Sequence, residues 1–113
     1  MSRRRFDQAM QLMRTKEPRV REDAFDFLRE HADAYVGELI AEFAAERDDP
    51  GLRCWLLELI AEARSPEALE VFRGQLESQD DSLRFWAVRG LEMLDTREAE
   101  QALEEAYANG WVF

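Results

Sequence analysis

One cysteine and one histidine stand in 113 residues. A lone cysteine excludes an internal disulfide framework and a multi-cysteine zinc site. A lone histidine excludes most His-based metal and catalytic clusters. Proline and glycine are scarce, at 3 and 5 residues, which is too little turn material for a many-stranded β fold. Uninterrupted apolar runs stop at four residues, as in Cys54-Trp55-Leu56-Leu57, far short of the ~20 that a membrane-spanning helix needs. No apolar segment follows the arginines of Met1-Ser2-Arg3-Arg4-Arg5-Phe6-Asp7-Gln8, so no secretory signal is read and a cytoplasmic protein is expected. What the chain does have is 46% apolar residues, enough to build a core in a single domain.

Charge is plentiful and unevenly placed. Residues 1–21 hold Arg3, Arg4, Arg5, Arg14, Lys16, Arg19 and Arg21 against Asp7 and Glu17, a local +5. Residues 22–113 hold 8 basic and 23 acidic residues, a local −15, and the sum is the formal −10 of the chain. An acidic body repels phosphate, so neither nucleic acid nor a membrane is expected as partner. It favours a basic protein surface, or it serves solubility alone. The arginine-rich start neutralises the acidic body, meets an acidic partner or RNA, or is a mobile arm. Three consecutive arginines are too few to define a nucleic-acid site.

The chain repeats itself. Glu17-Pro18-Arg19-Val20-Arg21, Asp49-Pro50-Gly51-Leu52-Arg53 and Asp80-Asp81-Ser82-Leu83-Arg84 open three similar segments, their last arginines 32 and 31 residues apart. The register continues downstream: Ala24, Leu56 and Ala87 share a column, then Phe25, Leu57 and Val88, then Leu28, Ile60 and Leu91. Val36 aligns with Ala68 and Ala99, Leu39 with Val71 and Ala102, and Ile40 with Phe72 and Leu103. A fixed period of this size marks a stack of supersecondary units.

Each copy reads as two helices. Val20, Ala24, Phe25, Phe27 and Leu28 recur at helical spacing, not at strand alternation. Asp49 and Asp80 are placed to cap the first helices of their copies, and Pro18 and Pro50 sit at a first helical position, where no N–H is needed. Asp33, Ser65 and Thr96 share one column and are read as caps of the second helices. The pattern predicts helices near 3–14, 18–31, 34–46, 50–63, 66–78, 82–94 and 97–108. The first carries an apolar face of Phe6, Ala9, Met10 and Met13 and is expected to cap the open end of the stack. Asn109-Gly110 ends the last helix, and Trp111-Val112-Phe113 either folds back over the last pair or serves as a docking peptide.

A helix pair of this length, opening with D-P-x-[VL]-R and continuing with [ST]-[PR]-E-A, resembles the HEAT repeat, most closely the short bacterial type also found in phycobilin lyase subunits. Asp49, Pro50, Leu52 and Arg53 carry the match, with Ser65, Pro66, Glu67, Ala68 and Leu69. Copy three matches through Asp80, Leu83, Arg84, Thr96, Glu98 and Ala99, and copy one more loosely through Glu17, Pro18, Val20, Arg21 and Asp33. The resemblance covers residues 17–108. It implies an all-α fold: a short right-handed α-α superhelix with a capping helix over 1–16, repeats over 17–48, 49–79 and 80–110, and an apolar tail at 111–113. It also implies a scaffold that holds other proteins. The column Arg21, Arg53 and Arg84 predicts a ladder, each guanidinium bonding the cap acid of a neighbouring copy, such as Asp49 or Asp80.

In such a stack the second helices line one face. Their outward positions are Glu38, Glu42 and Glu46, then Glu67, Glu70 and Glu77, then Glu98, Gln101 and Glu105. These form either a wall that attracts Lys and Arg on a partner or an ordinary solvated surface. Tyr35 and Arg73 are the expected energetic anchors if this face binds. Trp55 and Trp86 share a column and either pack between first helices or form an exposed aromatic patch.

Chemistry has little to work with. His31 and Cys54 fall at opposite ends of neighbouring first helices, too far apart for a dyad. His31 suits a helix C-terminus, and Cys54 reads as a small buried group. No phosphate-cradling loop or metal-ligand spacing is present, so no catalytic, metal or cofactor-binding residue is expected. The leading expectation is a non-catalytic interaction module for a basic protein partner, with a bacterial immunity-type inhibitor as a special case. The alternatives are an accessory subunit of a lyase-type enzyme, and a nucleic-acid binder of the HEAT-like DNA glycosylase type.

Overall fold

In a computed structural model of the chain, residues 3–111 are described. They form α1 (Arg3–Met13), α2 (Pro18–Glu30), α3 (Val36–Ala45), α4 (Pro50–Ala63), α5 (Leu69–Gln75), α6 (Asp81–Leu94) and α7 (Arg97–Ala108), with no strand among the described residues. Short 3₁₀ turns, Ala32–Ala34 and Pro66–Ala68, lead into α3 and α5. The second helices of the first two copies are therefore shorter α-helices than the sequence pattern predicts.

Caps explain most of these boundaries. The Asp49 carboxylate accepts from the Leu52 N–H at 3.1 Å, and that of Asp80 from Ser82 and Leu83 at 2.8 and 3.2 Å. Ser65 accepts from Glu67 and Thr96 from Ala99. Asp33 does not act as a cap. α2 ends at His31, the 3₁₀ turn swallows Asp33, and Tyr35 takes the cap position of α3, its side chain not capping the helix. The other two turns use a left-handed residue before the cap, Arg64 at φ 51° and Asp95 at φ 52°. That device swings the chain directly into the next cap.

The helices pack in two rows. α2, α4 and α6 form the first, with α4 against both neighbours. α3, α5 and α7 form the second, and each packs on first-row helices: α3 on α4, α5 on α6 and α7 on α6. α1 packs on α2 as α3 packs on α4. Its start lies beside α3, with the Phe6 and Tyr35 rings 5.3 Å apart, and Arg14, just past its end, reaches Glu42 and Glu46 at the end of α3. α1 thus runs parallel to α3 and continues the second row upstream.

The core follows the repeat columns. Ala24, Leu56 and Ala87 are buried, as are Leu28, Ile60 and Leu91, and Val36, Ala68 and Ala99. α4 is buried on the most sides, through Leu52, Leu56, Leu57, Leu59, Ile60, Ala61 and Ala63. A helix between two neighbours has no free face, and the apolar run of the middle copy is the consequence.

The arginine column does not form the ladder expected of it. Arg84 bonds the Ser78 carbonyl and Asp81, both near its own helix start. Arg21 lies over the Trp55 ring at 5.1 Å, and Arg53 over Phe43 at 4.2 Å. The Nε atoms of Arg21 and Arg53 are buried without a hydrogen-bond partner. The aromatic faces that line these positions hold two of the three guanidinium planes by cation–π contact, in place of carboxylates. Trp55 also packs on Phe25 of α2 at 4.9 Å, and Trp86 meets Phe85 edge-on at 5.2 Å. Both tryptophans are half-buried.

Candidate functional site

The second-row face is the surface that the sequence singles out, and the structure divides it in two. In its upstream half the acids are already engaged. Glu46 accepts from Arg14 at 2.7 Å and, through its other oxygen, from the backbone N–H groups of Asp48 and Asp49, both at 3.1 Å. The Arg14 bond, with these N–H donors, holds the Glu46 carboxyl below the usual carboxylate range. Glu42 shares the same guanidinium at 3.0 Å. The hydrogen bond to Glu46 in turn raises Arg14 further above its already high value. Glu46 organises the loop after α3, and both glutamates tie the end of α1 to α3 through Arg14. Glu38, on the same stripe, is half-buried.

Tyr35 is not on this surface. It is 2% exposed, its ring tilted against that of Phe6. Its column holds Glu67 and Glu98 in the other copies. The difference comes from α1, whose apolar side covers the start of α3, so the first copy needs an apolar residue where the others meet water. A tyrosine in a column of glutamates was the available signal.

Between α3 and α5 runs a groove of about 360 Å³ with both signs of charge on its walls, Arg47 and Arg53 with Glu70, over a floor that includes Phe43 and Val71. Arg73 pairs with Glu70 at 3.2 Å along α5. The expected anchor and its neighbouring acid thus partly neutralise each other.

The downstream half differs. Glu67, Glu77, Glu98, Gln101 and Glu105 are exposed, and the four glutamates make no ion pair among the described residues. Glu100 and Glu104, which the repeat columns did not single out, are also exposed on α7. Arg97 is the only basic residue within α7.

The groups with chemical potential elsewhere are quiet. Burial pushes the Cys54 thiol up, and the charge of Asp80 adds to it, which disfavours the thiolate that nucleophilic attack requires. His31 Nδ1 donates to the Phe27 carbonyl at 2.8 Å, and its ring stacks on Phe27 at 4.5 Å. Burial also raises the Glu58 carboxyl on α4, with Glu62 reinforcing the shift and Arg29 opposing it. Neither glutamate lines the groove between α3 and α5 or those at the two ends of the stack. No three His, Cys, Asp or Glu among the described residues are arranged to hold a metal.

At the downstream end Gly110, at φ +74°, turns the chain back, and Trp111 donates its backbone N–H to the Ala106 carbonyl at 2.9 Å. Trp111 then lines a groove with Phe85 and Val88 of α6. The expected return of the tail is seen for Trp111; Val112 and Phe113 lie outside the described residues.

Helices stacked in two rows on a repeating set of columns define an α-solenoid. The chain belongs to the HEAT-repeat family: the model for HEAT repeats matches residues 37–112. HEAT repeats generally mediate protein–protein interaction and are typically non-enzymatic. Comparison with curated proteins and with solved structures gives no match. No helix among the described residues is long and apolar enough to cross a membrane.

Proposed function

We propose that this protein is a non-catalytic interaction module that captures a basic protein through the downstream half of its second row, formed by α5 and α7. The observation that carries the reading is the set of exposed, unpaired glutamates Glu67, Glu77, Glu98 and Glu105 on and beside these two helices. Glu42 and Glu46 are excluded from the contact because Arg14 and the loop amides already hold them. Exposed charges of one sign steer an oppositely charged surface and raise its association rate, and salt weakens the attraction. Inhibition of a toxin by covering a basic active site, as immunity proteins do, is the form of capture that suits so small and acidic a chain. A cytoplasmic location goes with the same reading.

The test is reversal of Glu67, Glu98 and Glu105 to Lys together, followed by affinity capture from cell extract with quantitative mass spectrometry. The altered side chains are exposed, so helicity and melting temperature stay close to wild type. Wild type retains proteins with basic surfaces, retention falls as salt rises, and the triple variant loses them. Capture that survives the reversal, or a retained set without basic surfaces, rejects the reading.

A further inference from the structure

The α4 and α6 pair is the closest-packed in the first row, and α2 meets α4 more lightly, leaving Phe25 half-buried. Phe25 of α2 lies against Trp55 of α4. The residue in the Phe25 column of α4 is Leu57, 0% exposed, and Ala61, one turn further, is 1% exposed. In α6 the same two columns hold Val88 and Glu92, half-buried and exposed. Cys54 of α4 is half-buried beside Ser82 and Asp80, whereas its counterpart Phe85 is 59% exposed. The last first-row helix therefore presents to water the face that α4 buries. A groove of about 240 Å³ marks the place, with Phe85, Val88 and Trp111 as its apolar part.

The charges around this groove are balanced. Arg84 and Arg89 stand with Asp81 and Glu92, and each arginine pairs with an acid along the helix, Arg84 with Asp81 and Arg89 with Glu92 at 3.9 Å. The chain as a whole carries −10. Two copies meeting through the acidic α5 and α7 face would repel. Two copies meeting through α6 bring together a neutral, apolar-centred patch with its own donors and acceptors. We infer that the outer face of α6 is an isologous dimer interface, in which α6 of a second copy stands where a further first-row helix would continue the stack. A twofold contact closes on itself, and each arginine then meets the acids of the other α6.

Sedimentation velocity of the full chain across the micromolar range tests this. The expected result is a reversible monomer–dimer equilibrium. Phe85→Glu weakens it by roughly tenfold or more, since it buries a charge at the centre of the contact. Arg89→Glu, at a residue already largely exposed, disturbs the charge balance and weakens it as well. Either variant serves if the other loses helicity by circular dichroism. Leu12→Glu, in the groove at the opposite end of the stack, leaves the equilibrium unchanged. A chain that stays monomeric into the high micromolar range overturns the inference. So does a dimer that survives both α6 variants, or a loss of association on Leu12→Glu with wild-type species larger than dimers, the mark of head-to-tail stacking. The proposed capture of a basic partner is independent of these outcomes, because none of the altered residues lies on the α5 and α7 glutamate surface.

Discussion

Gly90 shows how a single residue is fixed by a neighbour outside its own helix. A Cβ placed there would come within 2.4 Å of the Phe72 ring, whose side chain is fully buried. Glycine in a helix interior normally costs about 1 kcal/mol against alanine. Here the missing methyl is what lets α5 and α6 close. Gly90→Ala is therefore expected to destabilise the protein by about 1–3 kcal/mol, the usual result of overpacking. Gly74→Ala, on α5 with nothing within 4 Å of its Cβ position, is expected to be neutral or stabilising. Urea denaturation of the two variants should move the midpoint in opposite directions, or at least down only for Gly90. The signal was present in the repeat columns. Gly90 aligns with Phe27 and Leu59, and Phe72 with Ile40 and Leu103. A small residue in one column beside an aromatic in the other is a size exchange. Reading it requires knowing that the two columns touch across a helix pair, which periodicity alone does not supply. Tyr35 was misplaced for a similar reason: its column predicts an exposed side chain, and only the position of α1 turns it inward.

At the level of helices and turns, legibility depended on whether a column repeats its backbone as well as its residue type. Ser65 and Thr96 were read as caps and act as caps, each preceded by a left-handed residue. Asp33 shares their column and has a good capping side chain, yet it falls inside the 3₁₀ turn Ala32–Ala34, whereas Ser65 stands just before its own, and it accepts no cap bond. The arginine column failed in the same way, since residue identity repeated while the surroundings did not. Thr96→Ala is expected to cost about 0.5–2 kcal/mol, the usual loss for a cap, whereas Asp33→Ala is expected to change stability by less than about 0.5 kcal/mol. Thermal melts of both variants decide it. An equal loss at the two positions would mean that Asp33 caps in solution and that the first turn resembles the others.

For the molecule as a whole, the position of a residue in the stack matters more than its type. A row of helices has two ends, and a column that is sealed in the middle opens there. Leu57 and Val88 occupy the same column on successive first-row helices, one 0% exposed and the other half-buried. The repeat was legible in the sequence because it needs only local spacing. The difference between middle and end was legible only in part, through the apolar run of α4, because burial at an end depends on whether anything covers the last helix. Leu57→Ala is expected to cost about 2–5 kcal/mol, as truncation of a sealed leucine does. Val88→Ala in the monomer is expected to cost less than about 1 kcal/mol, since much of its surface is already wet. If a second copy covers α6, wild-type stability also rises with protein concentration, by mass action. The penalty for Val88→Ala then grows with concentration, while that for Leu57→Ala stays fixed. Denaturation curves at two widely separated concentrations distinguish these cases: a Val88→Ala penalty that is small and identical at both leaves the end of the stack open to water.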